Sequence, residues 1–517
     1  MQTIGLLLLT ASGFALASLL ALYSYGRFLE RARREPSRAL PADGPATNLD
    51  RLIVPLTEAH RGQSGLVLLD DNLDAFAARA LSVRRAGRSL DVQTYIWKND
   101  LTGRLLANEI LAAADRGVRV RLLLDDVNLY AHDRALFALD AHSNIAVRLF
   151  NPSLNRGSRL RRSIEMAFRA VRATRRMHHK AWLADGRLAV VGGRNIGNAY
   201  FDAASASNFR DLDLLMLGPA VDEASAIFDG FWNCQAALPI TALFGRREAR
   251  LARLRKRLAA TAAGLQARPY LASVAEQETV HDTLSGKAPV HWTADVRVVS
   301  DPPEKVDNAG QERWLIRQIR PVVASARSEL EIVSPYFIPG AEGTEELLGI
   351  VRRGVRVSIL TNSLAATDVV AAHGAYAGFR RALIEGGVRL LELKPYKGRS
   401  AHSRLGSSHA SLHTKAFTVD DREGFVGSMN FDPRSISLNA EMGVIFGHPD
   451  LVREVRDVFA DEASPAKSYR LAVERGRLVW HDEAAQPATM FRREPLASLS
   501  RRLAAGIIGW LPIRSQL

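Results

Sequence analysis

The sequence predicts an α/β protein built from two similar halves, placed behind an apolar N-terminal helix. Three observations predict it. A strand–helix–strand unit occurs twice, a short polar motif occurs twice at fixed spacing, and the first 26 residues carry no charged side chain. Alternating strand and helix patterns of this kind imply layered α/β units with largely parallel strands.

The elements follow in order. Ile4 to Tyr25 is dominated by leucine, alanine and isoleucine, and at about 1.5 Å per residue it makes roughly 33 Å of helix, enough to cross a bilayer core. Arg27, Arg31, Arg33, Arg34 and Arg38 come next. That flank favours an uncleaved anchor with its C-terminal side in the cytoplasm. The competing reading is a signal peptide cut near Ala15-Leu16-Ala17, which puts the protein in the periplasm; it lacks a basic first region. The first unit opens with Leu90 to Trp97 as a strand. Helical spacing at Leu105, Leu106, Ile110 and Leu111 follows, then a buried strand after Arg116-Gly117. The second unit repeats this order with Leu330 to Phe337, Glu345 to Val351 and the run after Arg353-Gly354. Val147 to Leu149 matches Val388 to Leu390. Arg246 to Arg257 reads as a solvated helix face in a connector. Leu496 to Leu511 is amphipathic, suited to packing on the domain or to a membrane surface. The expected division is 1–40 anchor and basic flank, 41–290 first half, 291–485 second half, 486–517 C-terminal helix.

Composition narrows the function. With 47% hydrophobic and 24% charged residues the chain is not a disordered one. The net charge of +14 points to an anionic partner, and nucleic acid, a lipid surface or a phosphodiester all fit it. The single cysteine, Cys234, excludes an intrachain disulfide framework.

The chemistry lies in the repeated motif. His178-x-Lys180-x4-Asp185 is followed by Gly192-Gly193-x-Asn195, and His413-x-Lys415-x4-Asp420 by Gly427-Ser428-x-Asn430. Each position is shifted by 235 residues. Histidine and lysine two apart on a strand share a face and can line one pocket. Small residues at 192–193 and 427–428 let the backbone approach an anion, and the amides of Asn195 and Asn430 can donate to a phosphoryl oxygen. Two buried lysines without a ligand to explain them are rare.

This pattern resembles the phospholipase D superfamily. YIWKND, AADRGVRVRLLLDD, VGGRNIGNAYFD, LTNSLAATDVVAAHGAYAGFRR and GSMNFDPRSISLNAEMG resemble the C-type branch of bacterial cardiolipin synthases. The resemblance implies two α/β/α sandwich halves related by a pseudo-two-fold axis, with one active site between them and neither a metal nor another cofactor required. It implies that His178 attacks phosphorus to form a phosphohistidine and that His413 acts as acid and then base. Lys180, Asn195, Lys415, Asn430 and Ser428 would bind the substrate. An acidic residue after each motif orients a histidine in the family: Asp213 and Glu441 are the expected pair, ahead of Asp211. Asp185 and Asp420 belong to the motif, as catalytic or loop-supporting residues. Gly193 stands where the second copy has Ser428.

Other residues carry plainer expectations. His179 faces away from His178 and reads as core; His373, Tyr95 and Tyr336 read as packing before substrate contact. The leading function is transfer of a phosphatidyl group to phosphatidylglycerol, giving cardiolipin. A hydrolytic phospholipase D is the alternative, and a nuclease is less favoured because of the apolar N-terminal segment, so no nucleic acid partner is expected. Phospholipids and the bilayer surface are the expected partners. A decayed motif would have pointed to a lipid-binding scaffold, and both copies are intact.

Overall fold

The runs of aliphatic and β-branched residues that alternate with amphipathic segments become the strands of two large sheets. A computed structural model describes residues 2–32, 35–44, 46–127, 129, 133–205, 207–244, 250–397 and 409–510. In the first half the strands are β1 (Ser64–Leu69), β2 (Ser89–Thr94), β3 (Arg119–Asp125), β4 (Ile145–Phe150), β5 (Lys180–Ala184), β6 (Leu188–Gly192), β7 (Asn208–Arg210), β8 (Asp213–Leu217), β9 (Ala237–Pro239) and β10 (His291–Thr293). In the second they are β11 (Val296–Ser300), β12 (Glu329–Val333), β13 (Arg356–Asn362), β14 (Arg389–Leu393), β15 (Tyr396–Lys397), β16 (His409–Leu412), β17 (Ala416–Val419), β18 (Glu423–Gly427), β19 (Met442–Phe446), β20 (Ser468–Glu474), β21 (Arg477–Asp482) and β22 (Thr489–Phe491).

The sheet orders are β10-β1-β8-β6-β5-β2-β3-β4-β9 and β11-β19-β18-β17-β12-β13-β14-β20-β21-β22. From β1 to β9 and from β11 to β20 the two orders correspond strand for strand, so the halves are one topology used twice. The sheets are mixed rather than largely parallel. Only β2-β3-β4 and β12-β13-β14 run parallel within them; β5–β6 and β17–β18 are antiparallel hairpins. The reason lies in the motif itself, because its aspartate forms the hairpin turn. Asp185 (φ 55°) and Asp420 (φ 52°) adopt the left-handed conformation that aspartate tolerates.

Each sheet is covered outside by its own helices, Asn72–Arg85 and Leu101–Asp115 in the first half, Leu315–Ala324 and Gly340–Arg352 in the second. Between the sheets, Leu123, Met177, Ala181 and Val191 of one half pack with Val426, Met442 and Val444 of the other in a single core. Burying that shared apolar surface holds the halves together. A small sheet, β15-β16-β7, also crosses between them.

Two expected boundaries move. Residues 291–293 pair with β1 and belong to the first sheet, and the second sheet continues past residue 485 to Phe491. The connector forms helices Leu251–Ala262, Ala267–Ala275 and Thr279–Leu284; residues 246–249 of the expected basic helix lie outside the described residues. The N-terminal helix runs from Gln2 to Ala32, further than expected. It is long and apolar enough to cross a membrane. Its last turns belong to the protein: Tyr25 and Leu29 are buried against Leu238, and the Tyr25 hydroxyl donates to Pro152 O at 3.0 Å. Arg33 and Arg34 of the basic flank are outside the described residues.

Candidate active site

His178 and His413 stand just ahead of β5 and β17, where the two halves meet. Each is held by the backbone of the opposite half. His178 N donates to Ala440 O at 2.7 Å, Ala440 N to Arg176 O at 2.7 Å, and His413 N to Arg210 O at 2.8 Å. These rungs set each imidazole beside the acid that follows in the opposite half. His178 Nδ1 is 2.7 Å from Glu441 Oε2, and His413 Nδ1 is 2.5 Å from Asp211 Oδ2. A carboxylate at Nδ1 holds the proton there and leaves the Nε2 lone pair free in the neutral ring. Lys415 Nζ also lies 2.9 Å from His413 Nδ1, but an Nδ1–H given to Asp211 cannot accept from it. The ammonium is satisfied by His413 O instead, as Lys180 Nζ is by His178 O at 2.7 Å.

Burial dominates the electrostatics. It pushes the His178 imidazole well below its ordinary value, reinforced by Lys180, Lys415 and His413. His413 is also lowered by burial and by Lys415, while Asp211 works in the other direction. Burial brings Lys180 down to about 7 against the pull of Glu441, and lowers Lys415 too. The two acids diverge. Glu441 is raised by burial to about 7 despite Lys180, whereas burial of Asp211 is outweighed by Lys415 and His413, so it stays below the usual carboxylate range. The arrangement is a buried cluster of two imidazoles and two ammonium groups suited to an anion.

The acid that meets His413 is Asp211, which corrects the expected Asp213. Pairing across β6–β8 sets Gly192 opposite Asp213, and across β18–β19 sets Gly427 opposite Gly443. Asp213 is therefore the counterpart of Gly443, and Asp211 that of Glu441. Asp213 instead binds Arg79 (2.9 Å) and Arg194 (3.4 Å) in the core. Asp185 and Asp420 do not reach the site. Each sits at the turn beyond its strand, Asp185 accepting from the backbone N–H of Gly87, Arg88 and Ser89, and Asp420 from those of Ser328 and Glu329.

Ser428, expected to bind substrate, donates its hydroxyl to Glu441 Oε2 at 2.5 Å and accepts from Met442 N. In the first half Gly193 is required: a Cβ there would lie 2.1 Å from Asp211 Oδ1. Asn195 is committed locally, accepting from Ile96 N and donating to the Tyr200 hydroxyl. Asn430 keeps a buried Oδ1 without a partner. Sequence reasoning missed Ser435, whose hydroxyl donates to Glu441 Oε1 at 2.8 Å, and it placed Tyr95 as core although its ring packs edge-on to His178 at 4.7 Å. Tyr200 and Phe209 pack on His413. No periodicity marks such residues, since they meet their partners only through tertiary contacts. His179 lies against Phe231 in the core. His373 bridges Asn362 O and Glu494.

Paired α/β halves with this shared two-motif site define a phospholipase D-like enzyme. Residues 82–232 and 319–462 match the family model described as cardiolipin synthase, PLD-like domain. Cardiolipin synthase C of Escherichia coli (strain K12) is 39% identical over 467 residues, which cover 89% of this chain and 98% of that protein. An uncharacterized protein of Helicobacter pylori (strain ATCC 700392 / 26695) is 33% identical over 451 residues, 86% of this chain and 88% of its own. Among solved structures, phosphatidylserine synthase of Haemophilus influenzae Rd KW20 superposes with a TM-score of 0.53 at 14% identity, covering 81% of this chain and 92% of that one; this is a likeness of fold. The chain belongs to the cardiolipin synthase family of phospholipase D-like enzymes.

Proposed function

We propose that the protein is a membrane-associated phosphatidyltransferase that makes cardiolipin, with phosphatidylglycerol as the accepting alcohol. The observation that carries this reading is the exchange of acids between halves: Glu441 holds His178 and Asp211 holds His413, so neither half has a complete site alone. The relatives support the substrate class, and the apolar N-terminal helix supports membrane association. The arginines after that helix favour the cytoplasmic face of the inner membrane.

In the proposed sequence His178 Nε2 attacks phosphorus, the bond to the leaving alcohol breaks, and His413 supplies that oxygen with a proton. His413 then takes the proton of the incoming hydroxyl, whose oxygen displaces His178 from phosphorus. His178 suits the first role because burial and both lysines disfavour its protonated form, and the ionised Asp211 suits His413 to carry a proton. Lys180, Lys415 and Asn430 would stabilise the phosphoryl oxygens in place, as preorganised charge. Asp211, Glu441, Ser428 and Ser435 are positioning residues in this scheme.

Lipid turnover in phosphatidylglycerol vesicles, with and without phosphatidylethanolamine, tests it beside His178→Ala and His413→Ala. Cardiolipin formed by the wild type and lost in both variants is the expected result. Phosphatidic acid as the sole product overturns transfer in favour of hydrolysis. Label from a phosphate-labelled lipid retained on wild-type protein quenched in alkaline denaturant, where a phosphoramidate survives, and absent from His178→Ala, is expected of the intermediate.

A further inference from the structure

Among the described residues, every large apolar side chain left exposed, other than Leu265 and Met490, falls into one of two groups. The first comprises the N-terminal helix with Leu160, Ile164 and Val171 beside it. The second comprises Val369, Leu496, Leu499, Leu503 and Ile507. Soluble surfaces scatter such residues singly, and grouping marks a surface made for something apolar.

Both groups lie at the same end of the fold. The parallel strands of each half end where the site is built: Met177 N donates to Asp125 at the end of β3, and Asn362 at the end of β13 clamps Leu412 through both its backbone groups. The first group is fastened just past β4, where the Tyr25 hydroxyl meets Pro152 and Phe14 packs on Phe168 of the helix Arg159–Phe168. The second is fastened just past β13. There Arg501 donates to Leu364 O at 3.0 Å and also to Thr367 O. The C-terminal helix Leu499–Trp510 crosses the helix Val370–Tyr376 so closely that a Cβ on Gly374 would lie 2.6 Å from Ala505 O. With that face taken, Leu496 (71% exposed), Leu499 (71%), Leu503 (58%) and Ile507 (64%) point outward, the last three at four-residue spacing along one stripe.

We propose that the two groups seat the strand-end face of both halves on an anionic bilayer, so that the site opens onto the lipid surface. The N-terminal helix spans the membrane on one side of the site. The C-terminal helix lies in the headgroup region on the other, with Val369 beside it. Exposed basic residues accompany both groups, Arg159 and Arg161 on the first side, Arg492 and Arg493 on the second, and these suit anionic headgroups. This rests on the lipid substrate reading, and it adds a second membrane contact at the opposite end of the chain from the anchor.

The test uses the full chain in phosphatidylglycerol proteoliposomes, with Cys234→Ala removing the native thiol. An environment-sensitive dye is attached to Leu503→Cys, to Ile164→Cys, or to Leu265→Cys as a reference site. Docking predicts a blue shift and strong quenching by brominated acyl chains at 503 and 164, and neither at 265. Lack of quenching at 503, quenching at 265 equal to that at 503, or a shift at 503 that appears in detergent with rising protein concentration (a second copy on this face) each overturn it. The triple variant Leu499→Ser, Leu503→Ser, Ile507→Ser should lose roughly tenfold or more in turnover of vesicle lipid, the factor implied by one lost leucine burial. Its turnover of a monomerically dissolved short-chain lipid should be unchanged; equal loss on both overturns the docking role. Turnover in the same proteoliposomes separates the two ideas. Quenching without lipid product sinks the functional reading alone, and product without quenching sinks the docking alone.

Discussion

Asp211→Asn and Asp213→Asn, two residues apart, should fail in different ways. Asp211 Oδ2 accepts the hydrogen bond of His413 Nδ1–H at 2.5 Å and remains ionised between His413 and Lys415. A hydrogen bond to a charged group contributes about 1.5–3 kcal/mol, and about 1.4 kcal/mol is a factor of ten. Asp211→Asn should therefore lower kcat roughly ten- to hundredfold, and further, toward the ~10²–10⁴ of general acid–base catalysis, if the amide turns the imidazole to its other tautomer. Losing the carboxylate also removes what raises the His413 pKa, so the alkaline limb of the rate profile should move to lower pH. Asp213 touches neither histidine. It pairs with Arg79 and Arg194, all three buried, and breaking such a pair from one side costs about 3–5 kcal/mol. Asp213→Asn should lower the unfolding midpoint strongly while the folded fraction keeps a near-normal kcat. The assay is initial-rate lipid turnover on vesicles, normalised to folded protein by circular dichroism, with thermal melts alongside. Wild-type turnover by Asp211→Asn, or a large kcat loss in Asp213→Asn at unchanged stability, refutes the assignment.

Gly193→Ser copies the second half into the first, yet it should lower kcat as Asp211→Asn does, because the new Cβ collides with the Asp211 carboxylate; rate assays at full folding check it. Ser428→Gly should reduce kcat more mildly and cost about 1–2 kcal/mol in denaturant melts, from the bonds to Glu441 and Met442 N. Lys180 is brought down to about 7 by burial, so its charge is present below that pH and lost above it. Sulfate affinity by titration calorimetry should fall by up to about tenfold per unit above pH 7, less steeply in Lys180→Gln. Asp420 is held at about 2, where its backbone hydrogen bonds outweigh burial. A lowered folded pKa stabilises above the unfolded value near 3.8 and is lost as pH falls toward 2; the melting difference between wild type and Asp420→Asn should shrink over that window.

The repeat of 235 residues was legible in the sequence, and with it the two α/β halves, both histidines and both lysines. Those features are local: a strand alternates its faces every residue, and a buried strand or helix writes its period into the chain. The amphipathic C-terminal segment was legible for the same reason. The identity of the acid on His413 was not. Asn195 and Asp211 are sixteen residues apart, Asn430 and Glu441 only eleven, so the 235-residue shift fails there, and matching Asp211-x-Asp213 to Asn439-x-Glu441 selected Asp213. Only the hydrogen-bond register of β6 on β8 and of β18 on β19 shows which acid corresponds to which. Ser428 was legible as a motif member but not in its role, and Asp185 stayed open between a catalytic and a loop-supporting role, because what a side chain touches depends on which loop folds over it. The exchange of acids between halves, and the shared end of the fold at which both exposed apolar groups gather, were decided by the tertiary structure alone. Residues hundreds of positions apart meet there because burying the common core between the sheets fixes how the two halves face each other, and no local pattern records that contact.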